Sequence, residues 1–125
     1  MRPLMLAIPA VFAACLTGGC ETANHSLAAR LQAEDPSVRI QAIHEAGETR
    51  NEKALPYLVD RLTDSEQDVR FYAILALERM TGQTLGYRYF DPAAERDEAA
   101  KRWRKWVRER RGGASTRPAG GEGSP

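Results

Sequence analysis

The sequence has few of the residues from which catalytic and metal sites are built. Its 125 residues include two cysteines, both within the first 20, and two histidines, His25 and His44. Because a zinc site takes three or four convergent ligands, two separated histidines without a neighbouring cysteine do not define one. No glycine-rich phosphate loop occurs, and no serine has a histidine placed to activate it. We therefore expect no enzyme, no bound metal and no cofactor.

Clustered carboxylates are confined to one short segment. Its members are Asp60, Asp64, Glu66 and Asp68. They lack the glycine and the regular ligand spacing of a calcium loop. We expect them to cap helices, to interact with helix N-termini and to lie on solvated faces.

Long apolar runs are absent after residue 17. Residues 4–17 form one nearly unbroken apolar segment, which follows Arg2 and precedes Gly18, Gly19 and Cys20. A charged start, an apolar segment of about 7–15 residues and a small-residue cleavage site are typical of a secretory signal peptide. Such a segment is too short to span a bilayer.

The end of this segment, residues 16–20, resembles the lipobox of bacterial lipoproteins. The resemblance implies cleavage after Gly19 and a diacylglyceryl group on Cys20. Thr17 stands where that family usually has leucine, and Cys15 is an alternative lipidation site inside the apolar segment. The other interpretation is an ordinary secretory signal. Because two or more acyl chains anchor a protein stably, we expect a membrane-anchored lipoprotein of the bacterial envelope, facing the periplasm or the exterior.

Neither sign of charge dominates, but the charges are unevenly placed. Residues 21–100 carry 9 Lys/Arg and 15 Asp/Glu, a net −6, whereas residues 101–111 carry 7 and 1, a net +6. From Gly112 onward the chain is rich in glycine, serine and proline, which is typical of a disordered tail. These shifts predict a signal peptide (1–19), a lipid-anchored linker (20–24), a folded domain (25–110) and a disordered tail (111–125).

A repeat with a period of 31 residues organises the folded domain. Seven apolar or arginine positions match across this interval: Leu27, Arg30, Leu31, Val38, Arg39, Ala42 and Ile43 pair with Leu58, Arg61, Leu62, Val69, Arg70, Ala73 and Ile74. Each unit shows the apolar spacing of two helices, and no segment alternates as a strand would. Asp35 and Pro36 predict the start of a helix, and Gly82 predicts the end of another.

Residues 35–43 and 64–74 resemble HEAT repeats, closest to the short bacterial type first noted in phycobiliprotein lyases. The signature is an apolar first helix, here residues 55–59, an acidic turn and a Val-Arg pair; Ala33 replaces the turn aspartate of the first unit. The resemblance implies an all-α, right-handed solenoid of two helix pairs plus a closing helix, which binds proteins. Its structural repeat positions would be Val38, Arg39, Val69 and Arg70.

A basic helix is predicted to close the array. Asp91 and Pro92 predict its start, and it should run through Arg110. Ala99, Trp103, Trp106 and Val107 share one face, so both tryptophans should cover the open end of the solenoid. Residues 87–90 should pack over the last helix pair or form an aromatic recognition patch. The basic side chains that could contact a polyanion are Lys101, Arg102, Arg104, Lys105, Arg108 and Arg111.

Two function hypotheses follow. The first is a non-catalytic, lipid-anchored envelope scaffold that binds a protein partner through its repeat surface. The second is a surface-binding module whose basic helix, residues 101–111, engages anionic lipid or cell-wall polymer; salt should weaken that contact steeply. Nucleic acid is not expected as a partner of an exported protein. A chromophore-handling role rests on the repeat family alone, since no nucleophile or cofactor site supports it.

Overall fold

The computed structural model describes residues 26–115, which form helices joined by short turns and, over residues 82–92, by a longer loop. Two short 3-10 turns, Glu52–Ala54 and Arg61–Thr63, flank the third helix. The helices are α1 (Leu27–Leu31), α2 (Pro36–Glu48), α3 (Leu55–Asp60), α4 (Gln67–Thr81) and α5 (Ala93–Ser115). The described residues contain no strand. The lipobox-like residues 16–20, the predicted linker 20–24 and His25 lie outside them.

Local chemistry sets the ends of these helices. The backbone N–H of Ser37 donates to the Asp35 carboxylate at 2.8 Å, and Pro36 occupies the first turn of α2, where it loses no helical hydrogen bond. Gly82 ends α4 in the left-handed conformation, with φ of 73°, which costs glycine little. Both predicted boundaries agree with the structure.

The helices form two layers. In the first, α1 contacts α3 and α3 contacts α5; in the second, α2 packs along α4. We call these the A layer and the B layer. This arrangement confirms the predicted all-α solenoid of two helix pairs and a closing helix. Because α5 packs beside α3 and the turn Arg61–Thr63, it takes the place that the first helix of a third repeat would occupy.

The core lies between the two layers and is built from the repeated apolar positions. The buried leucines Leu31, Leu58, Leu62 and Leu77 have no exposed surface. Trp103 of α5 is the largest fully buried side chain. Burying an indole removes about 150–250 Å² from water, so this one residue ties α5 firmly to the repeats.

The end of α5 differs from the prediction. The helix continues past Arg110 to Ser115, so the first residues of the segment assigned to a disordered tail are helical. Gly112 and Gly113 are poor helix formers, but each still donates a backbone N–H. Extending an existing helix adds one hydrogen bond per residue without a new nucleation cost, so a long packed helix continues over them.

Among the helices between residues 26 and 115, none combines the length and the hydropathy that are needed to cross a membrane.

Candidate functional site

The repeat arginines of the Val-Arg pairs are buried and hold the turns of the solenoid. Arg39 is 7% exposed. One of its Nη atoms donates to the carbonyl oxygens of Ala33 and Glu34, both at 2.7 Å, and the other donates to the Asp64 carboxylate at 2.9 Å. Arg39 therefore closes its own turn and links the first repeat to the second. Its partner in the pair, Val38, is half-buried.

Arg70 makes the equivalent contacts one repeat later. Its Nη1 donates to the carbonyls of Asp64 and Ser65 at 2.8 and 2.9 Å, and its Nε donates to the carbonyl of Tyr89 at 3.2 Å. Val69, beside it, is fully buried. The side chains of both Val-Arg pairs thus make their contacts within the domain, which gives them a structural role.

Asp64 is buried, which corrects the expectation that this carboxylate lies on a solvated face. Its side chain is 4% exposed. It accepts from Arg39, from the backbone N–H of Glu66 at 3.1 Å, and pairs with Arg61 at 3.3 Å. In the sequence, what sets Asp64 apart from the other carboxylates is its place in the repeat signature, six residues before Arg70. Because Arg39 belongs to the preceding repeat, 25 residues away, only the fold brings this pair together.

The closing helix is fastened by polar contacts as well as by its apolar face. Trp103 Nε1 donates to the carbonyl of Thr84 at 3.0 Å, and the Trp106 ring meets the Trp103 ring edge-on at 5.6 Å. Tyr87 donates its hydroxyl to the carbonyl of Leu62 at 2.6 Å. Burial of the phenol raises the pKa of Tyr87 to about 12. Tyr87 therefore belongs to the core, as the packing interpretation predicted.

The six basic residues predicted to contact a polyanion lie on different sides of α5. Arg102 Nε donates to the carbonyl of Leu85 at 2.9 Å, and Arg104 lies 4.0 Å from Asp60 on α3. Lys101 hydrogen-bonds to Glu98 at 2.7 Å, which lowers the pKa of Glu98 and raises the pKa of Lys101.

The other three differ in their surroundings. Lys105 lies 3.8 Å from Glu109, one helical turn further along α5. Within residues 26–115 neither Arg108 nor Arg111 has an acidic partner within ion-pair distance. Only part of the basic helix is thus left with uncompensated charge.

An exposed aromatic strip runs across the end of the B layer, and sequence reasoning missed most of it. It consists of Leu75, Tyr72 and Phe71 on α4, followed by Tyr89 and Phe90 of the next loop. Neighbouring rings meet edge-on, with centroids 5.2 Å apart for Phe71 and Tyr72, 5.1 Å for Phe71 and Tyr89, and 5.2 Å for Tyr89 and Phe90. Leu75 is 43% exposed and Phe90 61% exposed. Large contiguous apolar patches on a protein surface are typical of interaction sites.

A groove between α2 and α4 adjoins this strip. Its volume is about 180 Å³, and Ile43, Gly47, Tyr72, Leu75 and Ala76 line its apolar part. A Cβ atom added to Gly47 would lie 3.1 Å from the Ala76 Cβ, so the two helices are in close contact there. Gly47 and Ala76 both line the groove.

Acidic side chains border the strip and the groove. Asp68 and Glu78 lie on the exposed side of α4, one turn from Tyr72 and Leu75 respectively. Glu48 on α2 lies 3.8 Å from Arg79 and 3.3 Å from His44 at the rim of the groove. Basic side chains lie at the same edge, since Arg79 lines the groove and the Arg88 guanidinium lies 5.7 Å from the centroid of the Phe90 ring. The surface is therefore apolar at its centre and carries charges of both signs at its edge.

Potential metal ligands are not clustered in the described part of the chain. No group of three or more His, Cys, Asp or Glu residues between 26 and 115 is arranged to hold a metal ion. His44 is exposed and lies 3.3 Å from Glu48.

The architecture defines an α-solenoid protein of short helical repeats. The family model of HEAT repeats matches residues 10–102 of this chain, which is most of its length. The chain belongs to the HEAT-repeat family. No curated protein and no solved structure matches it significantly. HEAT repeats generally mediate protein–protein interaction, and their family indicates a non-catalytic scaffold.

Proposed function

We propose that this protein is a lipid-anchored scaffold of the bacterial envelope that binds a partner protein through its B layer. The observation that carries the proposal is the aromatic strip beside the groove between α2 and α4. Interfaces are enriched in exposed tyrosine and phenylalanine, because large rigid rings bury much area at little entropic cost. The lipobox-like residues 16–20 support the anchor on Cys20.

The groove suggests the chemistry of the partner. A leucine-sized or aromatic side chain would enter between Gly47 and Leu75, while polar side chains beside it would meet the charges of both signs at the rim. An amphipathic helix with apolar anchors at intervals of three or four residues and polar residues beside them meets both requirements. The partner segment is therefore an amphipathic helix of another envelope protein.

The partner can be tested by site-specific crosslinking in intact cells. A photoreactive phenylalanine analogue replaces Tyr72, at the junction of the strip and the groove, and a second chain carries it at Asp97, which is exposed on α5. We expect a discrete protein adduct from position 72 alone. Leu75→Asp should reduce that adduct at least tenfold, because a charge would be buried in the apolar centre. Equal adducts from both positions, or no effect of Leu75→Asp, would refute the B layer as the binding surface.

The anchor has a separate test. Mass spectrometry of the intact purified chain should show a diacylglyceryl-modified Cys20 as its first residue, and Cys20→Ala should abolish both the modification and cleavage after Gly19. Cys15→Ala is the matched control and should leave the lipid in place. If Cys15→Ala removed the lipid instead, the anchor would be at the alternative site. A secreted, unmodified chain would show an ordinary signal peptide.

A further inference from the structure

A basic and partly apolar surface surrounds the place where the described residues begin. Two shallow clefts, of about 360 and 430 Å³, lie between α1, the turn Glu52–Ala54 and the last turns of α5. Lys53 and Arg111 line both clefts, so the clefts adjoin. Their apolar lining consists of Leu27, Ala28, Ala54, Leu55, Tyr57 and Val107. We call this region, with Lys53, Arg110 and Arg111 at its edge, the anchor-side surface.

Positive charge predominates at this surface. Lys53, Arg110 and Arg111 are exposed, and Glu52 is the one acidic residue that lines the clefts. Glu52 is paired with Arg110 at 2.6 Å, and the Arg110 guanidinium also lies 5.2 Å from the centroid of the Trp106 ring. Lys53 and Arg111 have no ion-pair partner within the described part of the chain. The aliphatic stems of these side chains can lie on the apolar lining while their charged ends reach outward.

The proposed anchor restricts where this surface can be. Ser26 follows Cys20 by six residues, which span at most about 20–22 Å when fully extended. Leu27 and Ala28, at the start of α1, line one of the clefts. The start of α1 is thus held within roughly the length of that tether from the lipid headgroups. The other end of α5 is remote, since the 19 residues from Ala94 to Gly113 cover about 28 Å of helix.

We propose that the anchor-side surface lies against anionic phospholipid headgroups, with Lys53, Arg110 and Arg111 as the contacting side chains. The inference rests on the proposed lipid anchor on Cys20. The anchor supplies the attachment, and the basic residues set the orientation. Each basic side chain at an anionic surface favours the contact roughly fivefold. Because the clefts belong to the A layer, this orientation leaves the aromatic strip of the B layer directed away from the headgroups.

The test uses the full lipid-bearing protein, purified and reconstituted into vesicles. The lipid occupies the Cys20 thiol and the other cysteine precedes the cleavage site, so an introduced cysteine is the reactive one. Gly113→Cys places a fluorophore at the anchor-side end of α5, where a Cβ meets nothing within 4 Å. Ala94→Cys places the same fluorophore at the exposed opposite end. Headgroup-spin-labelled lipid then reports which end contacts the bilayer.

In phosphatidylcholine vesicles that contain phosphatidylglycerol, we expect quenching several-fold stronger at position 113 than at position 94. Lys53→Gln combined with Arg111→Gln should lower the docking equilibrium roughly 25-fold and remove the difference. Lys101→Gln combined with Lys105→Gln removes the same amount of charge further along α5 and should change the docking equilibrium less than twofold. Omitting phosphatidylglycerol, or adding salt, should also abolish the difference.

Several results would overturn the inference. Equal quenching at both ends, an equal effect of the two charge-removing pairs, or undiminished quenching without phosphatidylglycerol would each exclude this docking surface. A response to added soluble wall polymer in place of phosphatidylglycerol would assign the surface to polymer and exclude the lipid contact. Intact mass separates this failure from that of the anchor: a chain without lipid overturns both proposals, whereas a lipidated chain without docking overturns this one alone.

Discussion

Replacing Asp64 with alanine should remove a large part of the stability of the domain. Asp64 links the two repeats, because its carboxylate accepts a hydrogen bond from Arg39 of the preceding repeat at 2.9 Å. The two side chains are 4% and 8% exposed. Removing one partner of a buried ion pair costs about 3–5 kcal/mol, since the other charge stays buried without compensation.

The structure narrows that range. Arg39 would keep two carbonyl acceptors at 2.7 Å, Ala33 and Glu34, so the guanidinium would not be wholly unpaired. We therefore expect the lower end, about 3 kcal/mol, for Asp64→Ala. Asp64→Asn retains an oxygen acceptor and loses only the charge, which should cost about half as much. The free energy of unfolding of a typical domain is about 5–15 kcal/mol, so the alanine variant should be only marginally stable.

Urea unfolding followed by far-UV circular dichroism measures these differences. With a slope of about 1.5 kcal/mol per molar urea, the midpoint of Asp64→Ala should fall by about 2 M. Asp60→Ala is the matched control: Asp60 is exposed and 4.0 Å from Arg104, so its loss should cost less than about 0.5 kcal/mol. Combining Arg39→Met with Asp64→Ala should cost less than the sum of the single changes. Additive costs, or a midpoint of Asp64→Ala equal to that of Asp60→Ala, would refute the reasoning.

Two further predictions concern the closing helix and its loop. Burial raises the pKa of Tyr87 to about 12, so the folded chain keeps this proton after the unfolded chain has lost it. The contribution of the neutral phenol to the free energy of unfolding is complete below about pH 10 and should fall by about 2–3 kcal/mol as the pH rises to about 12. Urea titrations at about pH 9 and about pH 11 measure this loss of stability. Tyr87→Phe should remove the part of the loss that Tyr87 causes. Trp103→Ala should cost about 3–5 kcal/mol, and Trp106→Ala clearly less because Trp106 is only half-buried. Equal melting temperatures of the two tryptophan variants would contradict the placement of Trp103 in the core.

The sequence predicts the helix pairs well because the signals that determine them are local. Apolar residues recur at helical spacing within each unit, and Asp35 and Gly82 act on backbone groups a few residues away. The same holds for Trp103, whose neighbours on one helical face are also apolar. The resemblance to HEAT repeats then orders these elements into a solenoid.

Features that depend on distant contacts could not be predicted in this way. The position of Asp64 six residues before Arg70 predicts a repeat turn but not the burial of its carboxylate, since its ion-pair partner Arg39 is 25 residues away. The exposed strip was missed for a different reason. Apolar residues occur almost all around α4 from position 69 to position 77, so periodicity alone does not show which of them remain exposed. Only the packing of α2 on one side and the loop on another settles that Tyr72 and Leu75 stay accessible.

The position of the strip follows from how the layers are filled. In the A layer, α3 has a neighbour on each side, α1 and α5. In the B layer, α4 is packed along α2, and between residues 26 and 115 no further helix is paired with α5 to cover its other side. The loop that carries Tyr89 and Phe90 takes only part of that space, because Phe71 is still 37% exposed. A partner helix laid beside α4 would bury these rings as the next repeat of a longer array would. We therefore expect the bound helix to run along α4, with its apolar anchors over Phe71, Tyr72 and Leu75.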